Sequence, residues 1–228
     1  MKNYPFKHSI LALAVGLLAV PALAADLPVF EEPAAAVAAA PYDWSGPYVG
    51  LFAGYGSSDV DWTYLAGGTA DHSGDGFFGG VQAGFNHQIG IWVLGIEGDI
   101  AWANIDGATP CPNPAYSCES EIDWLGSLRL RAGFAANQFL FYATGGLGVG
   151  DVTIQTVNFP APGINGTSNT MIGWTAGGGV AGAFGNWIVG AEYLYYDLGD
   201  DSFTVDAGLL VNADVTAHTG KVFVKRKF

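Results

Sequence analysis

The chain has 228 residues, enough for one barrel or sandwich domain without forcing a second. Charged residues make up only 13%, 34 residues are glycine and aromatics reach 14%, a balance too apolar for disorder and too glycine-rich for a helical bundle. The formal charge is −13 and no lysine or arginine occurs between Lys7 and Arg129, which excludes nucleic-acid binding through a basic face.

At the N-terminus, Lys2 and Lys7 precede the short apolar run Ile10–Val20, and Ala22-Leu23-Ala24 then presents small residues where a signal peptidase reads. Residues 1–24 read as a secretory signal peptide cleaved after Ala24, because the run is too short to span a bilayer. Residues 25–43 are rich in proline, alanine and acids, without a strand or helix face, and read as a periplasmic linker.

From residue 44 the pattern changes to alternation. Val81, Ala83 and Phe85 alternate with Gln82, Gly84 and Asn86; Leu94, Ile96 and Ile100 alternate with Gly95, Glu97 and Asp99. Period two on both sides of the short turn His87–Gly90 predicts an antiparallel hairpin. The same logic predicts eight strands, over 48–56, 75–86, 91–102, 121–134, 139–150, 171–184, 187–197 and 213–228. Their connections alternate in length. Ser57–Ser73, Ala103–Ser120, Asp151–Thr170 and Leu198–Asn212 are long, whereas His87–Gly90, Ala135–Gln138 and Gly185–Asn186 are short. A soluble sandwich has no reason for that rule; an outer-membrane barrel does, with short periplasmic turns and long outer loops. Mean hydropathy is positive, at +0.28, yet no apolar run after residue 25 reaches the roughly 18 residues of a membrane helix. The expected fold is therefore all-β: an eight-stranded antiparallel up-and-down transmembrane β-barrel over 44–228, in the outer membrane. Trp44, Trp92, Trp102, Trp124, Trp174, Trp187 and the Tyr193–Tyr196 cluster fall near strand ends, where interfacial girdles belong.

If apolar faces meet lipid, polar faces fill the lumen. Glu97, Asp99, Asp123 and Glu192 would there confront Arg129, Arg131, Lys221 and Lys225. An eight-stranded barrel is just wide enough for side chains to fill, and interleaved opposite charges offset the cost of enclosing each one. The expectation is a lumen plugged by ion pairs and completed by Gln82, Asn86, Thr144 and Thr175; the alternative puts several of these groups at a solvated rim. Gly74-x-Gly76-x-x-Gly79 and Gly177-x-Gly179-x-x-Gly182 match a dinucleotide-binding spelling but lack the following helix, so strand curvature explains them. Cys111 and Cys118 are expected to form a disulfide in an oxidising compartment, with no metal-ligand spacing around them. Asp71-His72-Ser73 clusters catalytic residue types, but sequence neighbours do not face one another, and loop polarity explains it. No cofactor is implied.

Trp44-Ser45-Gly46-Pro47-Tyr48-Val49-Gly50, Ala143-Thr144-Gly145-Gly146-Leu147 and Ala191-Glu192-Tyr193-Leu194-Tyr195-Tyr196-Asp197-Leu198-Gly199 resemble the opacity-type outer-membrane β-barrel family, in particular the alphaproteobacterial major surface proteins filed as porin family proteins. The resemblance covers about 44–228. It implies an eight-stranded barrel associated with outer-membrane lipid and lipopolysaccharide, without enzymatic activity. It also implies that a last strand with Val222, Val224 and Phe228 at alternate positions is read by the barrel-assembly machinery; Arg226 stands where that pattern carries an apolar or aromatic residue, and Phe223 falls on the inner face. The leading functional expectation is a non-enzymatic envelope protein displaying outer loops. The others are a small diffusion pore, capture of haemin or a host surface by the loops, with His72 outside, and a lipid-modifying barrel enzyme.

Overall fold

The computed structural model describes residues 41–64, 67–113, 115–158, 164–205 and 209–228. The expected signal peptide, with Ala22 and Ala24, and most of the expected linker lie outside the described residues. Eight strands form a closed antiparallel barrel in which each strand pairs with its sequence neighbours and β1 pairs with β8. They are β1 (Gly46–Tyr64), β2 (His72–Ile89), β3 (Trp92–Pro110), β4 (Tyr116–Ala136), β5 (Phe139–Asn158), β6 (Ile164–Phe184), β7 (Trp187–Val205) and β8 (Leu209–Lys227). The three short turns fall where the alternation places them, with Gly90, Asn137 and Gly185 adopting the positive φ that tight hairpins need.

The strands are longer than expected, from the 18 residues of β2 to the 21 of β4 and β6, where the alternation predicts 9 to 16. Most of each stretch expected to be a long outer loop is strand. The reason is a reversal of faces along every strand. In β1, Val49, Leu51 and Tyr55 point outward, while Tyr48 and Phe52 are buried. Further along the same strand, Ser57, Asp59 and Asp61 point outward and Val60 and Trp62 are fully buried. Strand β8 repeats this: Val222 and Val224 face out and Lys221 and Lys225 face in, and beyond them Asp214 and Asn212 face out while Ala213 and Val215 face in. In both strands the period of two runs on unbroken while the polarity of each face changes; in β4 and β7 a bulge shifts it by one residue.

The barrel therefore has two halves. Between Trp92 and Trp102 of β3 the outer face is apolar over a span that matches the roughly 9–11 residues of a tilted membrane-crossing strand. Trp92 and Trp187 mark its lower edge, and Trp102 and Trp174 its upper edge, as exposed girdle residues. Two residues expected in the girdle lie elsewhere: Trp44 is buried inside the lower mouth and Tyr196 points into the barrel. Above the upper edge the interior is an apolar core of Val60, Trp62, Ile105, Ile122, Phe203, Val211 and their neighbours. The expectation that apolar side chains face outward holds for the membrane half and is corrected for the outer half, which is packed like a water-soluble barrel. Cys111 and Cys118 form the expected disulfide at the β3–β4 end of this core, and Cys118 is fully buried.

The outward face of the outer half is acidic. Asp59, Asp61, Asp75, Asp106, Asp123 and Asp214 are exposed there, and no lysine or arginine joins them among the described residues. Partial burial and neighbouring carboxylates raise Glu121 and Asp214 above their ordinary values. A folded carboxyl that holds its proton more readily than the unfolded one gains stability as pH falls through its raised value. His72 acts oppositely, since burial depresses it below 6.5; there the unfolded chain protonates first. Amide exchange in the outer half, corrected for intrinsic rates, is expected to quicken just below pH 6.5 and to slow again in the carboxylate range. A protection profile flat across both ranges would contradict this.

A candidate functional site in the lumen

Midway through the membrane half, inward side chains of β1, β3, β4, β5, β7 and β8 converge. Cross-strand pairing supplies the first contacts, because Glu97 stands opposite Arg129 and Glu192 opposite Lys221. The Arg129 guanidinium donates to Glu97 at 2.9 Å, to Asp99 at 2.6 Å and to Glu192 at 2.8 Å. Lys221 bridges Asp99 and Glu192, both at 3.0 Å. Glu97 also accepts from Arg131 at 2.9 Å and from Lys225 at 2.5 Å. Three carboxylates thus meet four cations, all essentially enclosed.

Groups that the sequence alone did not single out complete the cluster. The Tyr48 hydroxyl donates to Glu97 at 2.8 Å and the Tyr142 hydroxyl to Glu192 at 2.7 Å, while Ser127 donates to Asp99 at 2.8 Å. The Arg131 guanidinium stacks 3.7 Å over the Tyr142 ring, and Lys225 lies 4.2 Å over Phe223. Glycines make room for the tyrosines: a Cβ at Gly179 would lie 2.5 Å from the Tyr142 hydroxyl. The oxygens of Glu97, Asp99 and Glu192 lie within 4.8 Å of one another, a spacing suited to a metal ion, but protein cations already bridge them.

Asp123 is the exception among the expected lumen charges. A β-bulge between Ile122 and Trp124 exchanges the two faces of β4, so Asp123 is exposed on the outer wall and accepts from Thr153 at 3.2 Å. Thr144 and Thr175 are buried but donate to the backbone carbonyls of Leu130 and Tyr195. Gln82 and Asn86 are buried beside the cluster, and both polar atoms of the Gln82 amide lack a protein partner. At the end of β8, Val222, Val224 and Phe228 are exposed, Phe223 is buried inside, and Arg226 points outward over Trp187. The two glycine motifs lie within β2 and β6.

His72 finds a partner that sequence spacing did not reveal. Its Nε2 lies 2.6 Å from the Ser120 hydroxyl, and its Nδ1 lies 3.4 Å from the Ala70 carbonyl. Serine beside histidine is the spacing of a nucleophile and its base. Here Ser120 is buried, the Trp62 ring packs against the imidazole, and Asp71 is exposed instead of orienting it. The pair reads as a hydrogen bond that satisfies two polar groups within an apolar core.

Residues 10–228 match the outer membrane protein beta-barrel domain family. The 31 kDa outer-membrane immunogenic protein of Brucella melitensis biotype 1 is 34% identical over 97% of this chain and 100% of its own length. The 22 kDa outer membrane protein of Rhizobium leguminosarum bv. viciae is 31% identical over 72% of this chain and 69% of its own. Among solved structures, the outer membrane protein OprG of Pseudomonas aeruginosa shares the fold, with a TM-score of 0.50 and 12% identity over 81% of this chain and 96% of its own. An eight-stranded closed barrel, a lipid-ready belt and a family match across nearly the whole sequence converge on one conclusion: the chain belongs to the outer membrane protein beta-barrel domain family and resides in the outer membrane.

Proposed function

We propose that this protein is a non-enzymatic, non-conducting component of the outer membrane that presents a folded, acidic β-surface to the exterior. The observation that carries this reading is the cluster of seven charged side chains, Glu97, Asp99, Arg129, Arg131, Glu192, Lys221 and Lys225, filling a lumen only eight strands wide. Barrels with an aqueous channel use about 16–18 strands. An ion crossing here would have to break several enclosed charge-assisted bonds at once. The shielding of Ser120 supports a non-catalytic role. The outward Asp residues, together with the immunogenic label carried by the Brucella relatives, support a surface-exposed antigen in contact with lipopolysaccharide. The alternate Val222, Val224 and Phe228 support reading of β8 by the assembly machinery.

Planar-bilayer recording on protein whose folding is established by a heat-modifiable gel shift tests the central claim. The wild type is expected to give no steady unitary conductance. A stable, ion-selective current that changes when Arg129 is replaced would overturn it in favour of a pore.

A further inference from the structure

The outward face of the membrane half carries a groove of about 730 Å³ across β7, β8, β1, β2 and β3, within the roughly 300–1,000 Å³ typical of ligand sites. Leu51, Val81, Ile100 and Val224 make its walls apolar, and the small Ala83 and Gly98 give it depth. Strand register sets its direction. Arg226 pairs with Val49, Val49 with Ala83, and Ala83 with Gly98. Arg226 is the penultimate residue of β8, whereas Ala83 and Gly98 lie well inside β2 and β3. The groove therefore climbs obliquely from the edge that bears the short turns into the hydrocarbon span.

Arg226 stands at its lower mouth. Its guanidinium lies 5.3 Å from the centroid of the exposed Trp187 ring and makes no ion pair among the described residues. Arg129, Arg131, Lys221 and Lys225 are enclosed, and Lys227 donates to the Asp43 carbonyl and lies over Tyr42. Among the described residues Arg226 is thus the one lysine or arginine side chain free on the outward wall. It also interrupts the outward apolar alternation of Val222, Val224 and Phe228. A guanidinium fork held against an indole at a membrane interface is suited to a phosphate, which accepts two parallel hydrogen bonds.

We propose that this groove binds an anionic glycerophospholipid of the periplasmic leaflet, with its phosphate on Arg226 and an acyl chain along Leu51, Val81 and Ile100. Short turns of a bacterial barrel face the periplasm, which places Arg226 in the phospholipid leaflet. A lipid A phosphate would approach from the opposite, acidic end of the barrel.

The test is native mass spectrometry of the full barrel released from nanodiscs holding phosphatidylglycerol, phosphatidylcholine or lipid A. The wild type is expected to retain one phosphatidylglycerol at least about tenfold more than phosphatidylcholine, the scale of one charge-assisted hydrogen bond. Arg226→Gln is expected to bring the two lipids to parity and Arg226→Lys to keep part of the preference. Ala83→Leu, which fills the groove without touching charge, is expected to lower retention of both and serves if Arg226→Gln fails to fold. Equal retention of the two lipids by the wild type, an undiminished preference in Arg226→Gln, unchanged retention in Ala83→Leu, or stronger retention of lipid A would each overturn the proposal. None of these outcomes depends on whether the lumen conducts.

Discussion

Glu97→Gln is expected to destabilise the barrel by about 3–5 kcal/mol, the cost of removing one partner from an enclosed ion pair. Glu97 accepts from Arg129, Arg131, Lys225 and Tyr48, more partners than either other lumen carboxylate has. Its neutralisation leaves four cations facing only Asp99 and Glu192. Losing a cation is a different matter, because the wild-type cluster holds one more positive than negative charge. Lys225→Met alone should therefore cost less than Glu97→Gln, and in the Glu97→Gln background it should restore part of the loss by returning the wild-type imbalance. Such non-additivity is the signature of residues sharing one network. Urea unfolding in detergent micelles, followed by tryptophan fluorescence, measures all four corners of the cycle. Strict additivity, or a wild-type midpoint for Glu97→Gln, would rule out a coupled network.

Trp62→Ala is expected to cost a similar amount, about 3–5 kcal/mol for emptying a large buried aromatic site, but in a different place. Trp62 is fully buried among the apolar side chains of the outer half and packs edge-on against Tyr64 and His72. The hydrogen-bonded membrane half lies below this core, so the loss should appear as local opening. Limited proteolysis is expected to cut β1 and β8 near Trp62 and its partner Ala213, while the remaining barrel still migrates as a heat-modifiable species. Trp102→Ala, which removes an exposed girdle ring, should leave the outer half as protease-resistant as the wild type. Equal resistance of Trp62→Ala and wild type would show that the outer core contributes nothing to folding.

Strand number, the three tight turns and the up-and-down order are legible in the sequence because the period of two holds across the membrane span of every strand and the short connections bracket it. Glu97 and Arg129 are assignable to one interior for the same reason: each alternates along its strand with lipid-facing residues such as Ile96 and Leu130. The outer half is not legible from polarity, because its strands continue where the outward residues turn from apolar to acidic. Ser57, Asp59 and Asp61 look like loop residues until Val60 and Trp62, which alternate with the two aspartates, are recognised as a second, inverted stripe. Asp123 faces outward, against the alternation, because a bulge shifts parity by one residue at that point of β4. The roles of Tyr48 and Tyr142 are not legible in the sequence because tyrosine is equally at home in a girdle and in a lumen; only the position of a hydroxyl against Glu97 or Glu192 separates the two. The Ser120–His72 contact joins residues on strands that are not neighbours in the barrel, and no local pattern encodes it.

The switch from a greasy exterior to an acidic one gives the molecule a waterline. It runs between Tyr55 and Ser57 on β1 and between Val222 and His218 on β8. Each residue advances a strand by about 3.3 Å, so sinking the barrel by two positions would draw Ser57 into hydrocarbon and Asp59 to its edge, and lifting it by as much would strand Tyr55 in water. The draught of this hull is fixed by its own planking, and the thickness of the surrounding bilayer must come to meet it.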